Sequence, residues 1–141
     1  MTDDVDIRKI LVGYDGSESS ERAVTLACSL ARKYGAAITV VHAFPHLPRL
    51  SAPSQDDTRE IHAARRFVEV LVKRLSHEEV EVVPDVLEGP AADAILNAAK
   101  AHDVDLIVIG RRGLGKFSGL LLGSTSDRVL HYATVPVLVA H

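Results

Sequence analysis

A parallel β-sheet covered by helices on both faces is the fold class this sequence predicts, from three observations. Short apolar runs rich in β-branched residues alternate with stretches whose apolar residues recur at helical spacing. The strand-like runs are apolar without strict alternation, as strands buried on both faces are. Two of them end in chemically distinctive turns, Gly13-Tyr-Asp-Gly16 and Gly110-Arg-Arg-Gly113. In open α/β sheets, ligands bind beyond such strand ends, where the strand order reverses.

Met1 to Asp6 is short and acidic. Ile7 to Tyr14 reads as the first strand, ended by Asp15-Gly16-Ser17. Ser17 or Ser19 can cap the helix that follows, with Glu18 and Glu21 in its first turn. Ala23, Leu26, Ala27, Leu30, Ala31 and Tyr34 share one face of that helix, and Gly35 suits a left-handed C-terminal residue. Ala36 to Phe44 is the second strand. Pro45, Pro48 and Pro53 bar regular structure from Pro45 to Ser54. A helix beginning at Asp57 or Thr58 turns Ile61, Ala64, Val68, Leu71, Val72 and Leu75 inward.

Val80 to Leu87, interrupted by Pro84, reads as an edge strand. Glu88-Gly-Pro90 turns the chain, Pro90 suiting the first turn of a helix that runs from Ala91 to His102. Val104 to Ile109 is the fourth strand. Ser124 to Tyr132 forms the last helix, and Val135 to Ala140 a fifth strand placed at an edge, where it can pair with a second copy.

The chain has 141 residues, the size of one domain with a sizeable core. A net charge of −3 and the lack of a basic cluster argue against nucleic acid as a partner. The single cysteine, Cys28, cannot close an internal disulfide, which fits a reducing compartment. No apolar run approaches the ~20 residues that span a bilayer. The expectation is a soluble cytoplasmic protein without a membrane partner.

The stretch from Leu106 to Asp127 carries the functional signal. A buried strand breaks into a loop bearing Gly110, Gly113, Gly115 and Gly119, and order returns at Gly123-Ser124-Thr125. Glycines let a backbone approach an oxyanion closely, and a helix N-terminus supplies N–H donors, so the stretch reads as a phosphate site. Gly110 to Lys116 matches a Walker A loop up to Phe117, which stands where that loop needs a magnesium-binding hydroxyl. A dinucleotide fingerprint at Gly113 and Gly115 lacks its ribose-binding acid. The glycines can also mark a plain loop and Asp15 a turn or cap, while Arg111, Arg112 and Lys116 read either as surface charge or as attraction for a phosphate. His42, on a strand, reads as a hydrogen-bonded core histidine, and Cys28 as packed.

A third pattern fits without repair. Gly110-x-x-Gly113, nine intervening residues and Gly123-Ser124 resemble the G-2x-G-9x-G-(S/T) signature of the universal stress protein family, in its ATP-binding branch. Lys9-Ile-Leu-Val-Gly-Tyr-Asp-Gly-Ser17, Val40-Val-His-Ala43, Glu88-Gly-Pro90 and Val135-Pro-Val-Leu-Val139 extend the resemblance over nearly the whole chain. It implies one domain over residues 1–141, with a three-layer, Rossmann-like α/β/α fold similar to adenine nucleotide alpha hydrolases. The implied sheet has five parallel strands in the order 3-2-1-4-5, in a homodimer.

The resemblance also implies a site. Gly13 and Asp15 would border the nucleoside, the backbone of Ala43 would meet the adenine, and Ile109 would offer apolar surface. Gly110 and Gly113 would close over ribose and phosphates, with Gly123, Ser124 and Thr125 donating to the phosphates. ATP, with Mg²⁺ on its phosphates, is the implied ligand, and AMP or cyclic AMP the alternatives. No catalytic or metal-ligating set is legible, and Tyr14 to Ser19 departs from the Ser-Gly-Gly-x-Asp-Ser loop of related ATP pyrophosphatases. The expected function is a nucleotide-dependent regulator in the stress response, any hydrolysis being slow. An oligomeric interaction module with little nucleotide dependence, or a slow ATPase, is the alternative.

Overall fold

The computed structural model describes residues 4–44, 55–112 and 122–141. Strands and helices alternate: β1 (Lys9–Gly13), α1 (Glu18–Tyr34), β2 (Ala37–Phe44), α2 (Gln55–Leu75), β3 (Val82–Glu88), α3 (Ala91–Ala101), β4 (Leu106–Gly110), α4 (Ser124–Tyr132) and β5 (Val137–Ala140). All pairings are parallel and the sheet order is β3-β2-β1-β4-β5. The order implied by the family resemblance is therefore the one observed. The chain winds outwards twice from β1, so β1 and β4 lie side by side at the reversal point.

Alternate residues of the central strands serve two cores. Ile10 and Val12 of β1 meet α1 and α2 through Ala23, Val24, Ala27, Val68 and Leu71. Leu11, between them, faces α3 and α4 through Ile95, Ala98 and Val129. Ile10, Leu11, Val12, Ile107 and Val108 are each fully buried, which is why these strands carry no polar alternation.

Several boundaries and one face depart from expectation. The helix after the proline segment begins at Gln55, and Pro90 is the N-cap of α3 rather than part of its first turn. The buried face of α1 is Ala23, Val24, Ala27, Cys28 and Ala31, with Leu26 and Leu30 half-buried beside it. Small residues on that face let the helix approach the sheet closely. Tyr34, expected on it, is 54% exposed. A helix of 17 residues is about 25 Å long, while the five residues of β1 span about 16 Å, so the last turn of α1 overhangs its strand. Cys28 is packed as expected, and burial pushes its thiol above the ordinary range. Ser17 caps α1 by accepting from Ser20 N–H, and Gly35 ends it at φ +66°, both as the sequence indicates.

The two edge strands differ. The N–H of Ile38 bonds to the carbonyl of Glu81 and that of Gly89 to Phe44, so the alternation turns the nitrogen of Pro84 to the open side of β3. Proline there removes an outward donor without breaking the ladder. On β5, Ile107 and Arg111 donate to the carbonyls of Pro136 and Ala140, which leaves Val137 and Val139 facing outward with donor and acceptor intact. Among the described residues, no helix is long and apolar enough to cross a membrane.

Candidate functional site

The ends of β1 and β4 open into a crevice roofed by the N-termini of α1 and α4 and walled by β2 and α3. Gly13, Asp15, Ala43, Ile109, Gly110 and Thr125 line it, so six of the nine residues named from the sequence come together. Ser124 and Gly123 stand beside the crevice rather than in its lining: Ser124 is exposed, while Gly123 is buried as the N-cap of α4. Gly113 lies outside the described residues, as do Gly115, Lys116 and Gly119.

Asp15 does two things. Its Oδ1 accepts the N–H of Ser17 at 2.9 Å, shaping the turn into α1, and the residue lines the crevice. Gly16 completes that turn at φ +82°, where a side chain would also meet the ring of Phe67. Asp15 is thus a turn residue that also borders the crevice. His42 is half-buried rather than a core residue. Its Nδ1 lies 2.9 Å from the Tyr14 carbonyl, an acceptor, which assigns the proton to Nδ1.

The start of the glycine segment is held by hydroxyls from two helices. The Ser19 hydroxyl donates to the carbonyl of Arg112 and accepts the N–H of the same residue at 3.2 Å. Ser126 Oγ lies 2.7 and 2.9 Å from the carbonyls of Gly110 and Arg111. Gly123 N–H donates to the Arg111 carbonyl, and Arg111 N–H to Ala140. Gly110 is required by this contact. A Cβ there would lie 2.6 and 2.8 Å from the carbonyl carbon and oxygen of Ser19, which are backbone atoms.

Chemically the crevice has two ends. Gly13, Val41, Ala43, Ile95 and Ile109 make one end apolar. Ser17, Ser20, Thr125 and Ser126 bring hydroxyls to the other, with Asp15 and a half-buried Arg112. Gly123 offers no side-chain cap, so the first-turn N–H groups of α4 are left to another acceptor. Ser20, Ser126 and Ile95 are not among the site residues that the sequence points to, and Arg112 enters there only as surface charge or phosphate attraction. The hydroxyl run Ser124-Thr125-Ser126 was a signal, but only the rotation of α4 selects which members face inward.

Ring contacts and a shared carboxylate tie α2 to this region. The Tyr14 ring stacks on Phe67 with centroids 5.4 Å apart, and Phe67 also lies 4.7 Å from the His42 ring. Tyr14 Oη donates to Glu21 at 2.6 Å, and Arg74 donates to the same carboxylate at 2.6 Å. Burial, then the hydrogen bond to Glu21 and its charge, push the Tyr14 hydroxyl up to about 12. Burial alone would raise Glu21, but the hydrogen bonds from Tyr14 and Arg74 outweigh it and hold the carboxyl below its ordinary range.

An open parallel α/β sheet with a crevice at its reversal point defines the class: a Rossmann-like α/β protein. The chain belongs to the universal stress protein family, whose model matches residues 6–141. A universal stress protein of Thermus aquaticus is 37% identical over 137 residues, covering 94% of this chain and 97% of that one. The structure of the universal stress protein UspA from Lactobacillus plantarum superposes with a TM-score of 0.84 over 98% of this chain and 100% of that one, at 22% identity, a likeness of fold. A universal stress protein solved in complex with cAMP is 26% identical, with a TM-score of 0.75 over 96% of this chain and 98% of that one.

Two outcomes follow from this geometry. Gly110→Ala should lower stability by about 1–3 kcal/mol in urea denaturation. Adding Ser19→Ala should not restore the loss, because the obstructing carbonyl is main chain. Unfolded tyrosine ionises near 10 and Tyr14 near 12. Its contribution to stability is therefore whole below pH 10 and lost as pH rises through about 12. Tyrosinate absorbance after a pH jump should show that late step in the wild type and not in Tyr14→Phe.

Proposed function

We propose that this chain is a nucleotide-binding regulatory protein that takes ATP, with AMP and cyclic AMP as the nearest competitors, and whose bound state alters its contacts with partners. The observation that carries the reading is the joining of an apolar end at Gly13, Ala43 and Ile109 to a hydroxyl end at Thr125, the first turn of α4. An adenine fits the first by apolar contact and backbone hydrogen bonds, and phosphates fit the second through N–H and hydroxyl donors. The relative solved with cAMP supports the class of ligand. Gly113 and Ser124 complete the site on this reading.

Asp15 is the one carboxylate among the described lining residues. A magnesium ion would accordingly be held by phosphate oxygens and water, with Asp15 in reach of its outer shell at most. With no second carboxylate beside it to activate water among those residues, any hydrolysis is slow and incidental to binding. A homodimer through β5 accompanies this function, supported by the outward N–H and C=O groups of Val137 and Val139 and by the blunting of the opposite edge at Pro84. The lone cysteine fits a cytoplasmic setting.

Mass spectrometry of small molecules released from the purified protein, then calorimetry with ATP, AMP and cyclic AMP, tests the reading. Thr125→Glu should weaken ATP by at least about tenfold, ~1.4 kcal/mol, while Lys116→Ala leaves it unchanged. Loss on Lys116→Ala with Mg²⁺-dependent turnover would instead favour a Walker-type ATPase. Failure to bind any of the three nucleotides would leave the interaction-module reading. For the dimer, light scattering should report a two-chain mass that falls to one chain in Val139→Pro, which deletes an outward N–H and leaves the ladder to β4 intact. A one-chain mass for the wild type at all concentrations refutes the dimer.

A further inference from the structure

We propose that Ile95, on the buried face of α3, sets the depth of the crevice's apolar end and thereby selects among base-substituted adenine nucleotides; this rests on the nucleotide reading above. Ile95 is 4% exposed and lines the crevice. A Cβ built on Gly13 would stand 2.8 Å from Ile95 Cδ1 and 3.3 Å from Ile109 Cγ2. The tip of Ile95 therefore lies over the Gly13 backbone and closes the floor between β1 and α3. Glycine at position 13 is the counterpart of that tip: its missing side chain is the space Ile95 fills.

The other α3 residue in the lining is Ala91, one turn earlier on the same face. Its single methyl adds little bulk, so the depth on the α3 side is decided by Ile95. The obstruction at Gly13 is the far end of a flexible side chain, whereas at Gly110 it is the Ser19 main chain. The floor can be re-cut by substitution without moving the backbone. The base belongs at this end, because the hydroxyls and the α4 N-terminus hold the opposite one. Apolar walls discriminate by volume, one methylene being worth roughly 10- to 200-fold in selectivity.

Calorimetry with ATP, 2-methylthio-ATP, N6-benzyl-ATP and 8-bromo-ATP on wild type and Ile95→Ala tests this, with thermal melting as the check on folding. The wild type should bind ATP at least about tenfold more tightly than the bulkiest analogues. Ile95→Ala should bring at least one analogue to within about twofold of ATP. Ile95→Val, which removes one methyl and preserves the fold if alanine does not, should shift the same analogue in the same direction. In a second arm, Gly13→Ala should weaken ATP by driving the Ile95 tip into the crevice, and Gly13→Ala with Ile95→Val should recover most of the loss. An unchanged ranking of analogues in both Ile95 variants that still bind ATP overturns the inference alone. A wild type that binds no adenine nucleotide overturns the nucleotide reading and this inference with it.

Discussion

The structure depends on one close approach, that of the α1 N-terminus to the end of β4. Gly110 has no side chain because the Ser19 carbonyl occupies its place, and the Ser19 hydroxyl then clasps both backbone polar groups of Arg112. Ser126 reaches the carbonyls of Gly110 and Arg111 from the other side. Polar groups at a strand end would otherwise face a buried junction unpaired, at a cost of a few kcal/mol each. Hydroxyls from two helices meet that need, and in doing so they bring both helix N-termini to one crevice. The glycine that looks like a ligand-binding glycine is first of all a packing glycine.

The same economy governs the end of β1. Tyr14 sends its N–H to Val41, takes the His42 ring on its carbonyl, lays its own ring on Phe67 and gives its hydroxyl to Glu21. Arg74 completes the chain from α2. The carboxylate is shared by two donors, so neither bond is a lone surface pair of little worth. Through these contacts α2, which contributes none of the described lining residues, restrains the residues that do line the crevice. Asp15 and Gly16 inherit their geometry from Tyr14 before them and from the capped turn of α1 after them.

The edges of the sheet show a second constraint, imposed from outside the site. A parallel sheet with two open edges must manage both. Pro84 removes an outward donor from β3, and the half-buried Asp85 next to it accepts from, or pairs with, His102. On β5 the outward groups of Val137 and Val139 stay intact between apolar side chains. The two edges are thus chemically unequal although the ladder pattern is the same.

Much was legible in the amino-acid order because it is local. The caps Ser17 and Gly35, the proline at the β3 edge and the apolar runs of β1 and β4 all act within a few residues of themselves. Gly110, by contrast, is legible only as part of a spacing and takes its structural reason from the distant Ser19 main chain. Strand order came from resemblance, since nothing local tells β4 to lie beside β1. What tertiary structure alone decided is rotation and reach. The turn of α4 puts Thr125 and Ser126 in the crevice and Ser124 outside it, the length of α1 leaves Tyr34 in solvent, and the pitch of α3 carries Ile95 over Gly13. A helical period says which residues share a face, but only packing against a twisted sheet says where that face points.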